Sequence, residues 1–363
     1  MMPDFAARIG ALQAVMHEQH LDGLLLASLA NVRYLTGFSG SNALVFVTLR
    51  GQVTLFTDFR YQTQVVDEVG ASARVVIAPS SLWSELWAFL PTVPTLEVIG
   101  FESAHLLHRD FERLLSEGVR WQWRPARDLV EALRERKDPG EVALIEVAAR
   151  MATDALHATL PQIRVGQQET AIAGVLEKAL RDAGSEGFPF PTIVASGPRS
   201  ALPHARSSDR AVASGDFLLL DFGAIHAGYC SDITRTVVVG RASDDQRALY
   251  GAVQRAQEKA CVEVRAGMRG READAIARDY LKAAGLAEEF GHSLGHGIGL
   301  EVHEGPRLAS SADAILPLDA VVTVEPGVYR AGWGGVRIED DVLLSTAGPR
   351  RLTDFPRELL ELN

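Results

Sequence analysis

Asp221, Asp232, His296, Glu325 and Glu339 are the side chains whose types and surroundings point most directly to chemistry in this sequence. Asp221 ends the apolar run FLLLD, and Asp232 opens DITRTVVVG. His296 lies in the glycine-rich GHSLGHGIG, Glu325 closes VVTVEP, and Glu339 sits in GVRIEDDVLL. Each stretch reads as buried, and a charge buried in a β-rich core is costly unless it is paired or binds a metal. Four carboxylates and one imidazole suit two divalent cations. The carboxylates cancel the ions' four positive charges, which leaves the pair acidic enough to activate a water.

Other residues join these by position. Strand alternation puts Arg337, Glu339 and Asp341 on one face of GVRIEDDVLL, away from Val336, Ile338 and Val342; alone, that face reads as a solvated edge strand. His292 and His296 have the i, i+4 spacing of a helical zinc pair, but the HExxH glutamate is missing and glycines flank both. The glycines imply a tight loop where backbone and substrate come close. His303, in the same segment, gives three histidines within one short loop. His204, in SALPHARSSDR, reads by itself as an exposed loop residue, and Gly166, Cys230, Tyr229 and Trp333 read as structural.

The elements that must position these residues fall into two parts. Up to about residue 130 the chain reads as an α/β domain. Phe5, Ile9, Leu12 and Met16 share a helical face, LDGLLLA is a short buried strand, and ALVFVT and VTLFT form a hairpin across LRGQ. WQWRPA is a last strand. After the charged EALRERKDPGE, Asp138, Pro139 and Glu141 stand at the cap, first-turn and capping-box positions of a helix with Leu144, Val147, Met151 and Ala155 inward. The order helix, helix, then strands carrying two carboxylates then occurs twice: 141–160, 169–184, 217–222 and 229–239, and again 245–266, 272–284, 321–325 and 335–344. That repeat suggests a pseudo-twofold sheet with metals between its halves.

Composition bounds the function. The chain has 363 residues, room for about two domains, with 47% hydrophobic and 23% charged residues, an ordinary globular balance. A net charge of −11 with no basic cluster argues against nucleic acid or an anionic membrane surface. No apolar run approaches a membrane span, the start lacks the order of a secretory signal, and two distant cysteines make no disulfide framework. A cytoplasmic protein is expected.

Taken together, PHARSSDR, LLLDFGA, GYCSDITRT, GHGIGLEVHEGP, VEPGVY and GGVRIEDDVLL resemble the pita-bread metallopeptidases, most closely the proline-specific branch of aminopeptidase P and prolidase. The likeness runs in order through residues 137–363, and NVRYLTGFSGSN and FTDFRYQTQ extend it to that branch's accessory domain. It implies an α/β (α+β) protein with a creatinase/prolidase-type domain over 1–132. A catalytic pita-bread domain over 133–363 follows, with a pseudo-twofold curved antiparallel or mixed sheet and flanking helices. The resemblance implies that Asp221, Asp232, His296, Glu325 and Glu339 ligate two divalent ions, Asp232 and Glu339 bridging them. It places His204 and His303 against substrate and transition state, with His292 and Arg337 around the site. Arg307, in HEGPR, matches a position that in some prolidases holds the substrate's terminal carboxylate.

One imidazole against four carboxylates favours hard ions: manganese first, then cobalt or zinc. Glu325 is the expected proton carrier. The expected reaction is hydrolysis of Xaa-Pro bonds at peptide N-termini, acting on short proline-containing peptides, in a homodimer. SALPHARSSD and FTDFRYQTQ tilt this slightly to aminopeptidase P, and Arg307 pulls towards the dipeptidase. Three other readings fit less. A metal-free creatinase-like C–N hydrolase or a non-catalytic binding module would have lost ligands that this chain keeps, and methionine aminopeptidase normally lacks the first domain.

Overall fold

The computed structural model describes residues 4–362, so the ends of the 1–132 and 133–363 spans lie outside the described residues. The chain separates into two compact units, divided between Arg134 and Glu135.

In the first unit, Asp4 caps α1 (Phe5–Glu18), whose Ile9, Leu12 and Met16 are buried. There follow β1 (Gly23–Leu26), α2 (Leu29–Thr36), β2 (Ala43–Thr48), β3 (Val53–Asp58), α3 (Gln64–Val69) and β4 (Arg74–Ala78). Then come α4 (Leu82–Phe89), β5 (Val98–Glu102), α5 (His108–Ser116), β6 (Gln122–Ala126) and α6 (Leu129–Arg134). The strands make one mixed sheet in the order β4-β3-β2-β1-β5-β6. The expected hairpin is β2–β3, paired from Ala43↔Thr57 to Val47↔Val53. Trp121 and Trp123 pack against Trp87, with ring centroids 6.4 and 6.1 Å away.

In the second unit, α7 (Pro139–Thr159) begins with the expected capping box: Glu141 N donates to Asp138 and Asp138 N to Glu141, each at 2.9 Å. Its inward face differs from the one that the spacing predicts. Leu144, Val147 and Met151 are only half-buried. Val142, Ile145 and Ala149 pack beside Tyr229 and Ile298, while Ala148, Ala152 and Leu156 pack beside α8 (Glu169–Asp182). A helix wedged between two neighbours is buried over a wide arc, which a single-stripe reading misses.

The rest of this unit repeats one plan. β7 (Ile193–Ser196), β8 (Phe217–Phe222), the small hairpin β9 (Ile225–His226) and β10 (Tyr229–Cys230), and β11 (Ile233–Val239) follow α7 and α8. After α9 (Asp244–Glu263) and α10 (Gly270–Ala283) come β12 (Gly295–Gly297), β13 (Glu304–Leu308), β14 (Val321–Val324), β15 (Gly327–Arg330) and β16 (Gly334–Arg337). The chain closes with β17 (Asp340–Ser345), β18 (Gly348–Arg351) and β19 (Glu361–Leu362). One sheet runs β19-β11-β8-β7 under α7 and α8, and the other runs β13-β12-β14-β17-β18 under α9 and α10. The two meet where β11 lies against residues 337–340. There Glu339 N donates to Thr234 O at 3.1 Å, and Arg337 N to Thr236 Oγ1 at 3.2 Å.

GVRIEDDVLL is therefore not the single strand that its alternation predicts. β16 pairs with β15, β17 pairs with β14, and Ile338 and Glu339 lie in the break. Nor is it a solvated edge, because every residue from Gly334 to Leu344 is buried. No helix among the described residues is long and apolar enough to cross a membrane.

Candidate active site

Strand ends and breaks position the candidate residues. Asp221 is next to last in β8, Asp232 lies between β10 and β11, and His296 is central in β12. Glu325 follows β14, and Glu339 sits between β16 and β17. Antiparallel pairing of β8 with β11 sets Thr234 opposite Asp221, so the two aspartates come to one place. Their connection turns through the β9–β10 hairpin, where Gly228 takes φ 79°. The glycines around His296 serve backbone packing: a Cβ on Gly295 would meet Thr323 O at 2.0 Å, and one on Gly297 would meet Gly305 O at 1.8 Å. Strand neighbours, not substrate, demand those glycines.

One potential ligand atom each from Asp232, His296 and Glu339 lies within 4.8 Å of the others. Glu325 Oε1 stands 3.6 Å from His296 Nε2. Asp221 lies outside that trio and pairs through Oδ2 with Arg337 Nη2. His296 Nδ1 is 3.0 Å from Gly297 O. A carbonyl can only accept, so the ring proton sits on Nδ1 and Nε2 keeps its lone pair for the site.

The electrostatics of the cluster are unfavourable for the side chains alone. Burial, then repulsion from Glu339 and Asp221, holds Asp232 well above the usual carboxylate range. Burial, then Glu325 and Asp221, does the same to Glu339. Glu325 is pushed up to about 8 by burial, against the pull of Arg337. Burial and His303 hold His296 down to about 4, which keeps its ring neutral. Asp232 Oδ1 is buried without a hydrogen-bond partner. A partnerless buried oxygen among mutually repelling carboxylates, beside a neutral imidazole lone pair, is a donor set that fits a divalent cation.

The remaining expected residues are placed as follows. The His303 ring centroid is 4.2 Å from that of His296, and burial lowers its pKa. His204 is exposed and close enough to lower the pKa of both His292 and His303. Arg307 is exposed on β13, directly across the β12–β13 pair from His296. His292 Nδ1 is 2.8 Å from Ser293 O and must donate there, so Nε2 accepts from the Tyr329 hydroxyl at 2.9 Å. That hydroxyl in turn accepts from Arg337 Nη1 at 2.8 Å. The result is a chain of contacts from His292 through Tyr329 and Arg337 to Asp221. Burial and Arg337 lower His292 to about 4, consistent with a neutral ring.

Sequence reasoning missed Tyr329, Thr234 and Thr323. Thr234 Oγ1 donates to Glu339 Oε2 at 2.6 Å and accepts from Arg337 Nε at 3.1 Å. Thr323 Oγ1 accepts from His296 N at 3.1 Å and donates to Glu325 at 3.4 Å. The signal was there: each threonine lies two residues along a strand from a candidate carboxylate, hence on its face. Asp341, already placed on that face, accepts from Asp232 N at 3.0 Å, while its Oδ1 has no partner. Tyr229 donates to Glu141 at 2.9 Å, and Trp333 packs edge-on against Phe217.

Comparison with known proteins places this arrangement. Residues 143–346 match metallopeptidase family M24, and residues 8–136 match the creatinase/prolidase N-terminal domain. An Xaa-Pro dipeptidase from Pyrococcus furiosus is 35% identical over 97% of this chain and 99% of its own. The structure of an Xaa-Pro dipeptidase from Bacillus anthracis superposes with a TM-score of 0.95 at 38% identity, covering 99% of this chain and 100% of that one. An X-Pro aminopeptidase from Thermotoga maritima superposes with a TM-score of 0.90 at 37% identity, covering 97% and 99%. A creatinase-like first domain and a pita-bread second domain, carrying a carboxylate-rich site suited to divalent metal, make this chain a metallopeptidase belonging to family M24.

Proposed function

We propose that the chain is an Xaa-Pro dipeptidase that uses two divalent metal ions, manganese first and cobalt or zinc next. Asp221, Asp232, His296, Glu325 and Glu339 would hold the ions, which supply Lewis acidity and an activated water. Residues 133–363 would carry catalysis and 1–132 an accessory role.

The side chains supply the rest. Glu325, whose Oε1 lies 3.6 Å from His296 Nε2, would take a proton from the attacking water and deliver it to the departing proline nitrogen. That nitrogen belongs to a tertiary amide without an N–H, so recognition has to come from elsewhere on the substrate. Arg307, exposed opposite His296, would pair with the free carboxylate of a dipeptide. His303 and His204 would donate to the carbonyl oxygen as negative charge develops on it. Tyr329 and Arg337 orient Asp221 and His292.

The observation that carries the substrate assignment is whole-length likeness to Xaa-Pro dipeptidases, joined to the position of Arg307. It favours the dipeptidase over the aminopeptidase P lean of the sequence, although the Thermotoga likeness keeps longer peptides as a second reading. Hydrolysis of matched Xaa-Pro dipeptides and Xaa-Pro-Xaa tripeptides with Mn²⁺ tests this. Dipeptides are expected to dominate, and Arg307→Ala to harm them more than tripeptides. Preference for tripeptides would return the aminopeptidase reading, and no Xaa-Pro cleavage would reject both. A homodimer and a cytoplasmic location belong to the same proposal, tested by light scattering and cell fractionation.

A further inference from the structure

Arg235 lies on β11 between two threonines that face the site, and its own side chain is 2% exposed. A guanidinium has five N–H donors, and all five are used here. Nη1 donates to Thr234 O at 2.9 Å and to Glu339 O at 2.6 Å. Nη2 donates to Asp340 Oδ1 at 2.8 Å and to Phe355 O at 3.0 Å, and Nε donates to Pro356 O at 2.9 Å. The Phe355 ring lies 5.6 Å from the guanidinium carbon. Asp340 is held from other sides too, accepting from Thr353 Oγ1 at 2.6 Å and Gln257 Nε2 at 2.7 Å.

These contacts converge on the seam between the two sheets. Glu339 sits in the break between β16 and β17, where no strand ladder binds its peptide groups. A buried peptide carbonyl needs a partner, and Arg235 provides it. The same nitrogen grips Thr234 O on β11, two residues from Asp232. One rigid planar group thus fixes the backbones that carry two of the three converging ligand candidates. Its far end is tied to the C-terminal segment at Phe355 and Pro356.

We propose that Arg235 is a positioning residue that sets the separation of the Asp232 and Glu339 carboxylates, with residues 353–356 as its anchor. The inference rests on the reading that this site holds divalent ions. A lysine has three donors on a flexible stem and cannot span five acceptors in a plane, so Arg235→Lys should not restore the site.

The test is titration of full-length metal-free protein with MnCl₂, alongside thermal melting and dipeptide kinetics. Arg235→Lys is expected to weaken Mn²⁺ binding by about 10- to 100-fold, the usual range for residues that orient metal ligands, with kcat falling and KM little changed. Because a lone buried Asp340 could itself unfold the chain, a second variant combines Arg235→Met with Asp340→Asn and removes the charge pair together. It should melt near the native temperature yet still bind Mn²⁺ at least about tenfold more weakly. Native Mn²⁺ affinity in the double variant would overturn the proposal and leave Arg235 an ordinary buried ion pair. Native protein that takes up Mn²⁺ but spares Xaa-Pro dipeptides would remove only the substrate assignment; no uptake at all would remove both.

Discussion

Glu169 and Asp232 are buried carboxylates in the same unit, and the chain treats them in opposite ways. Glu169, in the first turn of α8, is fully enclosed and receives five donors. These are the amide and hydroxyl of Ser196, the amide and hydroxyl of Ser208, and Arg199 Nε, at 2.7–3.0 Å. Burial pushes its pKa up, but hydrogen bonds from Ser208 and Ser196 outweigh that and hold it below the usual range. Asp232 has one bare buried oxygen and faces Glu339, Asp221 and Glu325. A fold that needs only stability surrounds a buried carboxylate with donors. Acceptors left facing acceptors, with a neutral imidazole among them, make a place for a cation.

The sharpest way to break this comparison is to neutralise each carboxylate in turn. Asp232→Asn should abolish measurable Xaa-Pro hydrolysis and most Mn²⁺ binding, while the metal-free protein melts at the native temperature or above, since repulsion is relieved. His303→Ala should keep the metal and lower kcat by about 10²- to 10³-fold, the usual cost of one donor to a developing oxyanion. A rise in KM alone would make His303 a substrate-positioning group. Glu169→Gln should do the reverse of Asp232→Asn: a loss of about 1–3 kcal/mol in unfolding free energy with Mn²⁺ binding unchanged. Equal effects of these two carboxylate variants on melting would erase the contrast.

The smallest effect is a pH dependence. Glu325 in the fold titrates near 8, above the 4.5 of an ordinary glutamate. Its stabilising contribution is complete below about 4.5 and is lost as pH rises through about 8. His292 and His296, held down to about 4, contribute fully above the ordinary 6.5 and lose that as pH falls through 4. Between pH 6.5 and 8 Glu325 keeps a proton in the fold that it loses on unfolding, so metal-free protein should be less stable and melt lower at pH 8, by up to about 1.4 kcal/mol per pH unit from this group. Calorimetry in chelator checks this; a melting temperature that rises over that window contradicts the assigned burial.

Much of this was legible in the sequence where local chemistry and burial agree. The Asp138–Glu141 capping box and the β2–β3 hairpin are short-range features, and each appears where the residues require it. Asp221 and Glu325 stood out because apolar runs precede them. The break at Glu339 was not legible, because unbroken alternation in GVRIEDDVLL hides a strand that changes partners from β15 to β14. Tyr329 was overlooked because its role is a tertiary contact with His292 and Arg337. Arg235 was hidden inside a strand-like run, and only the meeting of two sheets and the C-terminal segment gives it five acceptors.

The most direct measurement is elemental analysis of protein loaded with Mn²⁺ and then dialysed, native beside Asp232→Asn. Two equivalents of manganese per native chain, with most of it lost from the variant, are the expected result. Native protein that retains none, or a variant that retains as much as the native chain, would contradict the claim that these five side chains gather around divalent ions.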